Sequence, residues 1–401
     1  MTELNGTVVA AFEPIRDVVE EHLRSGAEVG LSLVVERDGE RLADLWGGHR
    51  DAARTRRWER DTITNTWSIT KTVTSLAALL LVDAGELDVH APVARYWPEF
   101  AANGKERVEV RHLLSHTSGV SGLDQPARLD DLYDVRAAAS RMASQAPWWE
   151  PGSASGYHVL NYGHLIGELV FRLTGLSLRA FVRRHLAGPL GADFQLGVRD
   201  EDLGRVSDVI APAAGLDLSA LDRDSVAYRT FAGPAADAAA ANTPAWRAAE
   251  LGAANGHGNA RSVARILAAQ TRLLKPATLD LIFAEQSNGA DLVNGLHLRW
   301  GIGFALPDRR TLPWLPDGRV AFWGGWGGSM AIMDFDQGVT IAYVMNNMGA
   351  DILGSARSAA YVQAVYRALG GSAGSVGPVE PSVEHGVRRI PEDGLHMKPT
   401  L

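Results

Sequence analysis

The residues of this sequence most able to do chemistry together are Ser68 and Lys71, which lie three positions apart in Ser68-Ile-Thr-Lys71. Positions i and i+3 share one face of a helix, so the serine hydroxyl and the lysine amine would point the same way. A serine beside an amine that accepts its proton is a nucleophile for acyl transfer. The first turn of a helix also carries unpaired N–H groups and partial positive charge, which favour an oxyanion near Ser68.

Lysine is rare in this chain, which has four lysines among its 39 basic residues. At Lys71 the amine stands inside an apolar run, where a charged group is costly. Unlike arginine, a buried lysine can lose its proton near neutral pH, because burial lowers its pKa. Taken alone, the Ser-x-x-Lys spacing leaves a second interpretation open, in which Lys71 is a surface lysine near a first-turn serine.

Two apolar segments predict the helices that would position these groups. Residues 72–82 contain neither proline nor glycine, and Gly85 follows them, so they predict a buried helix of about four turns with Ser68 at its head. Apolar residues also recur at helical spacing over 159–173. Tyr157 stands at the mouth of that second helix. As an isolated residue it would be a tyrosine packed on the core at a helix start.

Strand signals lie at both ends of the chain and helix signals lie between them. The runs on either side of Asp38-Gly39, within 30–48, predict a β-hairpin. Further strands are predicted at 296–304, 319–323, 329–335 and 339–346, and further helices at 8–23, 124–150, 178–186, 352–369 and, after a turn at 256–261, at 262–274. This order predicts an α/β (α+β) fold, with one antiparallel sheet built from both ends of the chain and a helical domain inserted between them.

The same pattern predicts a division of the chain into three parts. The predicted parts are a discontinuous sheet domain of residues 1–66 and 295–370, a mostly helical domain of residues 67–294 with an irregular insertion at 195–250, and an extended C-terminal arm of residues 371–401.

Composition excludes several classes of function. The net charge of −8 disfavours nucleic acid as a partner, and the absence of cysteine excludes disulfides, thiolate metal sites and a cysteine nucleophile. No His-Glu-x-x-His pattern is present, so neither a metal site nor a cofactor is expected. The first residues do not resemble a signal peptide and no apolar run could span a bilayer, so we expect a cytoplasmic protein without a membrane partner.

Two other stretches could supply a nucleophile or a base. His116, in Ser115-His-Thr-Ser-Gly119, could be a catalytic base, but a turn histidine held by neighbouring backbone groups is the favoured interpretation. The segment Gly327-Gly-Ser329-Met-Ala331 matches Gly-x-Ser-x-Gly only loosely. It lies between two predicted strands and lacks the strand–turn–helix context of a Ser-His-Asp hydrolase.

A glycine-rich stretch, Trp323-Gly-Gly-Trp-Gly-Gly-Ser329, follows one predicted strand and begins another. Glycines at a strand edge allow another backbone or a ligand to approach closely. Backbone N–H groups left unpaired there could bind an oxyanion. With Ser68, Lys71 and Tyr157, this stretch completes a set of groups suited to acyl transfer.

The chain resembles the class C β-lactamases and, more closely, the family VIII carboxylesterases of the same fold, over residues 4–370. The resemblance lies in the joint order and spacing of several motifs, namely Trp67-Ser-Ile-Thr-Lys71, Leu113-Leu-Ser-His-Thr-Ser-Gly119, Pro151-Gly-x-x-x-x-Tyr157-His, Gly163-x-Leu-Ile-Gly167, Asn255-Gly-His-Gly-Asn-Ala-Arg261 and Trp323-Gly-Gly-Trp-Gly-Gly-Ser329.

The resemblance implies roles for individual residues. Ser68 would be the acylated nucleophile, and Lys71 and Tyr157 would form its base system. The backbone N–H groups of Ser68 and Trp326 would form the oxyanion hole. An ammonium near a phenol favours the phenolate, so we expect the lysine and the tyrosine to titrate as a unit.

Two departures from the β-lactamase pattern point to the substrate. Val159 stands where β-lactamases carry the asparagine of Tyr-x-Asn, and Trp323-Gly324-Gly325 stands where they carry Lys-Thr-Gly. Both changes replace polar groups that hold a β-lactam by apolar ones. A site that leaves the polar groups of a β-lactam unpaired should reject it and accept an uncharged ester.

Four tryptophans are candidates for an aromatic pocket that binds the acyl or alcohol part of the substrate. They are Trp148, Trp149, Trp323 and Trp326. For Trp148 and Trp149, a place among ordinary core aromatics is an equally open interpretation.

The predicted activity is that of a serine carboxylesterase acting on small to medium uncharged esters, with a small-molecule ester as its partner. An acyltransferase that uses the same acyl-enzyme is the alternative, followed by a weak β-lactamase or a peptidase acting on D-amino acids. A non-enzymatic scaffold is least supported, because Ser68, Lys71 and Tyr157 are all present. The sequence leaves open whether the protein is a monomer or a homodimer.

Overall fold

The computed structural model describes residues 4–213, 217–234 and 237–370, so the predicted arm at 371–401 lies outside the described residues. Strands in the described part are β1 (Leu4–Val8), β2 (Gly30–Arg37), β3 (Glu40–Gly48), β4 (Thr64–Asn65), β5 (Phe194–Leu196), β6 (Gly256–Gly258), β7 (Ser287–Ala290), β8 (His297–Trp300), β9 (Ala305–Leu306), β10 (Val320–Gly324), β11 (Met330–Asp334) and β12 (Val339–Met345).

Nine of these strands form one antiparallel sheet, in the order β1-β3-β2-β12-β11-β10-β9-β8-β7. Its middle is the pairing of β2 with β12, in register from Leu31 opposite Met345 to Arg37 opposite Val339. Every residue of β12 is buried, because helices cover this part of the sheet, and its sequence is accordingly almost continuously apolar. The predicted antiparallel sheet built from both ends of the chain is therefore confirmed.

The predicted hairpin is also confirmed. Asp38 and Gly39 both have positive φ values, 49° and 86°, as the mirror-image turns that connect tight hairpins require. Strands β2 and β3 pair directly on either side of this turn.

Helices alternate with loops in the middle of the chain and close its described part. They are α1 (Glu13–Ser25), α2 (Thr70–Asp83), α3 (Val110–Leu114), α4 (Val135–Ser144), α5 (Tyr162–Thr174), α6 (Leu178–Val182), α7 (Val226–Ala232), α8 (Pro244–Ala248), α9 (Ala260–Ala268), α10 (Gln270–Leu273), α11 (Pro276–Ile282) and α12 (Ala356–Ala368). In the described part of the chain, none of them is both long and apolar enough to cross a bilayer.

Helix α2 is the element around which the middle of the chain packs. It lies against α5 and α6, and it is buried on nearly all sides, as its uniformly apolar sequence requires. Gly85 has a φ of 78° and Gly175 a φ of 72°, so each ends its helix in the left-handed conformation. The two predicted apolar helices are thus present. The division of the chain into a sheet domain and a helical domain remains a prediction.

The first predicted helix is wrong at its start. Residues Leu4–Val8 form the edge strand β1, paired with β3, and the helix begins only at Glu13. The apolar residues Val8 and Val9 fit a helical spacing equally well. Pairing with a distant strand decided the outcome, and no local signal marks it.

Three other predicted segments differ from the structure. The helix expected at 124–150 is limited to α4, with a short 3₁₀ turn at Leu129–Leu132. The turn expected at 256–261 contains β6, and the helix expected after it is divided into α9 and α10. The described residues of 195–250 hold only short helices and one strand end, as an irregular segment should.

A second, three-stranded sheet has the order β4-β6-β5 and lies beside the start of α2. Its central strand β6 pairs with the two-residue strand β4, which lies directly before Ser68. Helix α9, which follows β6, packs against β2 and β12 of the large sheet. The small sheet therefore fixes the start of α2 relative to the large sheet.

Candidate active site

Ser68 lies in a 3₁₀ turn, Trp67–Ile69, that leads directly into α2. The Thr66 N–H donates to the carbonyl of Gly256 at 2.7 Å, and the Gly256 N–H donates to the Thr70 hydroxyl at 2.8 Å. These bonds join the turn to β6 on both sides of the serine. Ser68 is partly exposed, whereas Trp67 and Ile69 on either side of it are buried. Ser68 is therefore the residue of this turn that is open to solvent.

The residue before the serine has an unusual backbone. Trp67 has a φ of 49°, a left-handed conformation that costs a non-glycine residue about 1–3 kcal/mol. Its indole ring lies 5.6 Å from the ring of Trp246 and 5.2 Å from the ring of Trp326, measured between centroids. Packing against these two rings therefore helps to hold the turn that contains Ser68.

The amine of Lys71 contacts three oxygen atoms. Its Nζ lies 3.2 Å from Ser68 Oγ, 2.8 Å from the carbonyl oxygen of Val159 and 3.0 Å from that of Ala253. Among the described residues, no carboxylate lies within ion-pair distance of this amine. Burial therefore lowers the pKa of Lys71 well below its usual value, which favours the neutral amine.

A neutral amine has two hydrogens and one lone pair. The carbonyls of Val159 and Ala253 are acceptors only, so they take the two hydrogens of Lys71. The lone pair then faces the third neighbour, the hydroxyl of Ser68. In its neutral form Lys71 would thus face Ser68 with an acceptor, and its role as a base stays a prediction.

Tyr157 lies on the other side of the lysine. Its ring centroid is 4.6 Å from Lys71 Nζ, and its hydroxyl accepts a hydrogen bond of 2.8 Å from Trp323 Nε1. The Ser68 side chain is a hydrogen-bonding neighbour of the same hydroxyl. Because Trp323 occupies an acceptor position, the tyrosine's own hydrogen is directed elsewhere, toward Ser68 or a bound substrate.

The expected phenolate is not what this environment favours. Burial raises the pKa of Tyr157 well above its usual value, and its hydrogen bonds with Ser68 and Trp323 offset only part of that shift. A phenolate would need an ammonium beside the phenol, but the Lys71 amine is itself buried, which shifts it toward its neutral form. Burial shifts both groups toward their neutral forms, and the role of Lys71 and Tyr157 as the base system of Ser68 stays a prediction.

Tyr157 is positioned by Asp291, a residue that the sequence analysis did not single out. One carboxylate oxygen of Asp291 accepts the N–H groups of Tyr157, Val293 and Asn294 at 3.0, 3.0 and 3.2 Å. The Tyr157 ring also stacks at 10° on Trp300. An aspartate that accepts N–H bonds two and three residues ahead is an Asx turn, and Asp-Leu-Val-Asn-Gly was the signal that could have revealed it.

His116 is a turn histidine, as the favoured interpretation held. It is buried, has a φ of 62°, and its Nδ1 accepts the N–H of His158 at 3.1 Å. The ring of His158 lies between the carbonyl of Gly156 and the hydroxyl of Ser118. Burial lowers the pKa of His158 to about 3 and that of His116 well below its usual value, so both rings are neutral supports beneath Tyr157.

The glycine-rich stretch forms a tight turn between β10 and β11. The Gly325 N–H donates to the carbonyl of Ser329 at 2.8 Å, and the Gly328 N–H donates to the carbonyl of Gly325 at 3.1 Å. Within the described chain, no acceptor takes the N–H of Trp326, which lies between them. A donor left unpaired in this way is available to an oxyanion.

This turn lies against the serine turn because position 325 is glycine. A Cβ at Gly325 would come within 2.8 Å of the Thr66 carbonyl oxygen and 3.2 Å of Trp67 Cβ. Any larger residue would push the two turns apart. The predicted oxyanion donors, the N–H groups of Ser68 and Trp326, therefore belong to two turns in direct contact, and their role stays a prediction.

The residues predicted to bind substrate fall into separate groups. Trp323 is buried and donates to Tyr157, so its indole acts on the tyrosine. Gly324 is packed beneath Leu353 and Met330, where a Cβ would come within 3 Å of each. Val159 contributes its carbonyl to Lys71, and its partly exposed side chain remains a candidate substrate contact.

Among the described residues, no hydrogen bond or ring contact joins Trp148 or Trp149 to Ser68, Lys71 or Tyr157. Trp148 lines a cleft of about 440 Å³, donates to Asp124 at 2.8 Å and is covered by the Arg229 guanidinium at 4.4 Å from its ring. Trp149 donates to the Ala154 carbonyl and packs against Gly156, under the loop that carries Tyr157. Their predicted substrate contacts remain a prediction, and Trp149 has a supporting position of its own.

The titratable side chains of the described residues do not form a metal site. Within these residues, no three or more His, Cys, Asp and Glu side chains are grouped so that they could hold a metal ion.

Comparison with known proteins places this arrangement in a family. The family model named Beta-lactamase matches residues 15–364. The Esterase/beta-lactamase LipL of Mycobacterium tuberculosis is 34% identical over 339 residues, which cover 80% of this chain and 77% of that protein.

Two solved structures share the fold over nearly the whole chain. A family VIII carboxylesterase is 34% identical, with a TM-score of 0.85 over 91% of this chain and 100% of that one. A penicillin-binding protein homologue from Caulobacter crescentus is 33% identical, with a TM-score of 0.84 over 92% of this chain and 100% of that one. The family model and these likenesses together show that the chain belongs to the beta-lactamase family.

Proposed function

We propose that this protein is a serine carboxylesterase that hydrolyses small to medium uncharged esters through an acyl-enzyme on Ser68. The observation that carries the proposal is the hydrogen-bonding pattern of Lys71. Two backbone carbonyls take its hydrogens, and its third neighbour is Ser68 Oγ at 3.2 Å. The similar LipL and the similar family VIII enzyme, named as esterases, support the same class of reaction.

In the acylation step, Ser68 Oγ bonds to the ester carbonyl carbon while its proton passes to Lys71 Nζ. The carbonyl oxygen becomes an oxyanion, which the N–H groups of Ser68 and Trp326 bind. The bond to the leaving alcohol then breaks, and the alkoxide takes a proton that returns from Lys71 through the Tyr157 hydroxyl. The products are the free alcohol and an ester of Ser68, so charges and atoms balance.

In the deacylation step, a water molecule takes the place of the alcohol. Lys71 accepts a proton from this water as its oxygen bonds to the acyl carbon. The proton then passes to Ser68 Oγ as the acyl–serine bond breaks. The carboxylic acid leaves, and the serine and the neutral amine are restored for the next cycle.

The electrostatics of the site favour an uncharged substrate. The pKa of Lys71 is lowered and that of Tyr157 is raised, chiefly by burial in each case. Burial likewise lowers the pKa values of His116 and His158 and raises that of Asp291. Every one of these groups is shifted toward its neutral form, so a charged ester would lose its hydration without gaining a counter-ion.

A β-lactam carries a carboxylate and an acylamino group, and this site has little to offer either. Trp323 directs its N–H at Tyr157 and lies where β-lactamases carry a lysine. Val159 stands in place of an asparagine amide. Because the similar LipL is named as both esterase and beta-lactamase, β-lactam hydrolysis is the second candidate. We expect it to be weak or undetectable in this protein.

The proposal is tested with p-nitrophenyl acetate, butyrate and octanoate beside a chromogenic cephalosporin. We expect ester turnover and labelling of Ser68 by a fluorophosphonate probe, both abolished in Ser68→Ala. Ester turnover that survives Ser68→Ala would refute the mechanism. Cephalosporin turnover that rivals ester turnover would instead make the protein a β-lactamase, and product analysis with added alcohol would reveal acyl transfer.

A further inference from the structure

The glycine-rich turn between β10 and β11 is held from behind by an arginine of α12. Arg357 Nη2 donates to the carbonyls of Gly327 at 3.1 Å and Asn347 at 2.8 Å. Its Nη1 donates to the carbonyl of Ala27 at 2.9 Å and to the Glu28 carboxylate at 2.8 Å. One guanidinium thus joins the turn to the segment that precedes β2.

Glu28 fixes this guanidinium in place. Its side chain is fully buried, and the Arg357 side chain is 10% exposed. The other carboxylate oxygen accepts hydrogen bonds from the hydroxyls of Tyr343 and Tyr361, which come from β12 and α12. Two hydroxyls thus hold one oxygen of the carboxylate and Arg357 Nη1 binds the other, so the guanidinium is anchored on the side away from the turn.

Two peptide units connect the guanidinium to the unpaired N–H of Trp326. In the first, between Gly327 and Gly328, the carbonyl accepts from Arg357 and the N–H donates to the carbonyl of Gly325 at 3.1 Å. The second peptide unit joins Gly325 to Trp326. Its carbonyl, that of Gly325, is held by this bond from the Gly328 N–H. A trans peptide is planar, so the Trp326 N–H must point in the opposite direction from the Gly325 carbonyl.

The glycines make this relay possible. Gly327 has a φ of 88° and Gly328 a φ of 120°, which disfavour other residues. A Cβ at Gly328 would also come within 2.7 Å of Ser355 Oγ, directly before α12. The glycines add no side-chain constraint, so the orientation of the turn depends on the packing of the Trp326 indole and on the groups that bind its backbone. Besides Arg357, the backbone partners of Gly327 are the Asp351 carbonyl, which accepts its N–H at 3.1 Å, and the Gly349 N–H, which donates to its carbonyl at 2.9 Å.

We propose, on the basis of the proposed esterase function, that Arg357 is a positioning residue that aims the Trp326 N–H at the oxyanion of the transition state. The arginine touches no substrate. It acts through the two peptide units of the turn, and Glu28 keeps it in place. Its effect should thus fall on the transition state far more than on substrate binding.

The test compares Arg357→Lys with a matched control, Arg261→Lys. A lysine at 357 retains a charge for Glu28, but its single ammonium cannot reach the Gly327 and Asn347 carbonyls in the planar arrangement of a guanidinium. Arg261 is also buried and lies 3.4 Å from a carboxylate, that of Asp44, but it binds the Arg60 carbonyl and not the turn.

For Arg357→Lys we expect kcat on p-nitrophenyl butyrate to fall about tenfold or more with KM little changed, because a lost oxyanion donor costs about 100-fold or more. Affinity for a trifluoromethyl ketone, which forms a tetrahedral adduct with the serine, should fall by the same factor. Arg261→Lys should change neither kcat nor the affinity for the trifluoromethyl ketone. A kcat within twofold of the wild type, or an equal loss in both variants, would overturn the proposal.

Hydrogen exchange separates this proposal from the proposed function. The amides of residues 325–329 should exchange about tenfold faster in Arg357→Lys than in the wild type, and not in Arg261→Lys. Unchanged exchange overturns the positioning role whether or not the protein hydrolyses esters. If the wild type and Ser68→Ala turn over esters equally while exchange responds as expected, the esterase function fails and the arginine's hold on the turn stands.

Discussion

Lys71 and Arg357 are both basic residues in the first turn of a helix, as the second residues of α2 and of α12, and both are buried against backbone carbonyls. The positive end of the helix dipole disfavours a cation in either place. Arg357 has the Glu28 carboxylate at 2.8 Å, whereas in the described part of the chain no carboxylate lies at ion-pair distance from the buried Lys71. Burial shifts the uncompensated amine toward its neutral form, whereas the compensated guanidinium, which cannot lose its proton, stays charged. The difference shows how one fold makes two uses of the same burial.

The largest effect is expected when arginine replaces lysine at position 71. Lys71→Arg puts a permanent cation in place of the titratable amine, so we expect kcat on p-nitrophenyl butyrate to fall about 10²–10⁴-fold, the range of general base catalysis. Steady-state kinetics of the purified variant measure this.

The matched control for that substitution is Lys105→Arg. Lys105 is fully buried, donates to the Ala102 and Gln145 carbonyls, and has its pKa lowered by burial as Lys71 does. It lies away from Ser68, so we expect a loss of stability with kcat within twofold of the wild type. Equal loss of kcat in both variants, or none in Lys71→Arg, would mean that proton transfer at Lys71 is not needed.

The second prediction concerns Glu28, whose carboxylate compensates the charge of Arg357. Glu28→Gln leaves the Arg357 charge buried without a partner, which typically costs about 3–5 kcal/mol of unfolding free energy. Urea denaturation followed by tryptophan fluorescence measures it. A loss below about 1 kcal/mol would show that the carboxylate does not compensate Arg357.

The buried histidines resemble Lys71 rather than Arg357, and pH should reveal this. Burial lowers the pKa of His257 to about 4, below the usual 6.5 that it regains on unfolding. A lowered histidine pKa gives stability that is complete above pH 6.5 and is lost as pH falls toward 4. This one residue should cost about 2 kcal/mol between pH 7 and pH 5.

Urea denaturation at the two pH values tests this, with His257→Gln as the comparison. The variant should lose about 2 kcal/mol less than the wild type between pH 7 and pH 5. If the two proteins lose the same amount, His257 is not held in its neutral form.

The smallest expected effect comes from removing one hydroxyl that binds the Glu28 carboxylate. Tyr361→Phe removes one of the hydroxyls that bind Glu28, at 3.1 Å, and leaves the Tyr343 hydroxyl and Arg357 in place. We expect a loss of about 1–2 kcal/mol in unfolding free energy, less than for Glu28→Gln. A loss as large as that of Glu28→Gln would mean that the hydroxyl, and not the carboxylate, holds the arginine.

Local patterns predicted the parts of the fold that depend on local signals. The helix after Ser68 and the hairpin at Asp38-Gly39 are marked by a long apolar run and by a turn pair. Strand β6, Gly256–Gly258, pairs with Thr64–Asn65 far along the chain, and three residues without periodicity could not announce it. Edge strand β1 was missed for the same reason.

The site divides in the same way. Ser68 and Lys71 are three residues apart, so their spacing revealed them. Glu28 and Arg357 are separated by 329 positions, and nothing local distinguishes either from a surface charge. The protonation of the Lys71–Tyr157 pair was also beyond the sequence, because it depends on how deeply both groups are buried.

The pairing of β2 with β12 at the middle of the sheet has a consequence for the order in which the molecule assembles. Ser68 and its helix are complete in the first quarter of the chain, but the turn of Trp326 and strand β12 come near the end of the described part. Contacts of such sequence separation form late and slowly. Regain of ester turnover after dilution from denaturant therefore times the last docking event, while helix content recovers earlier.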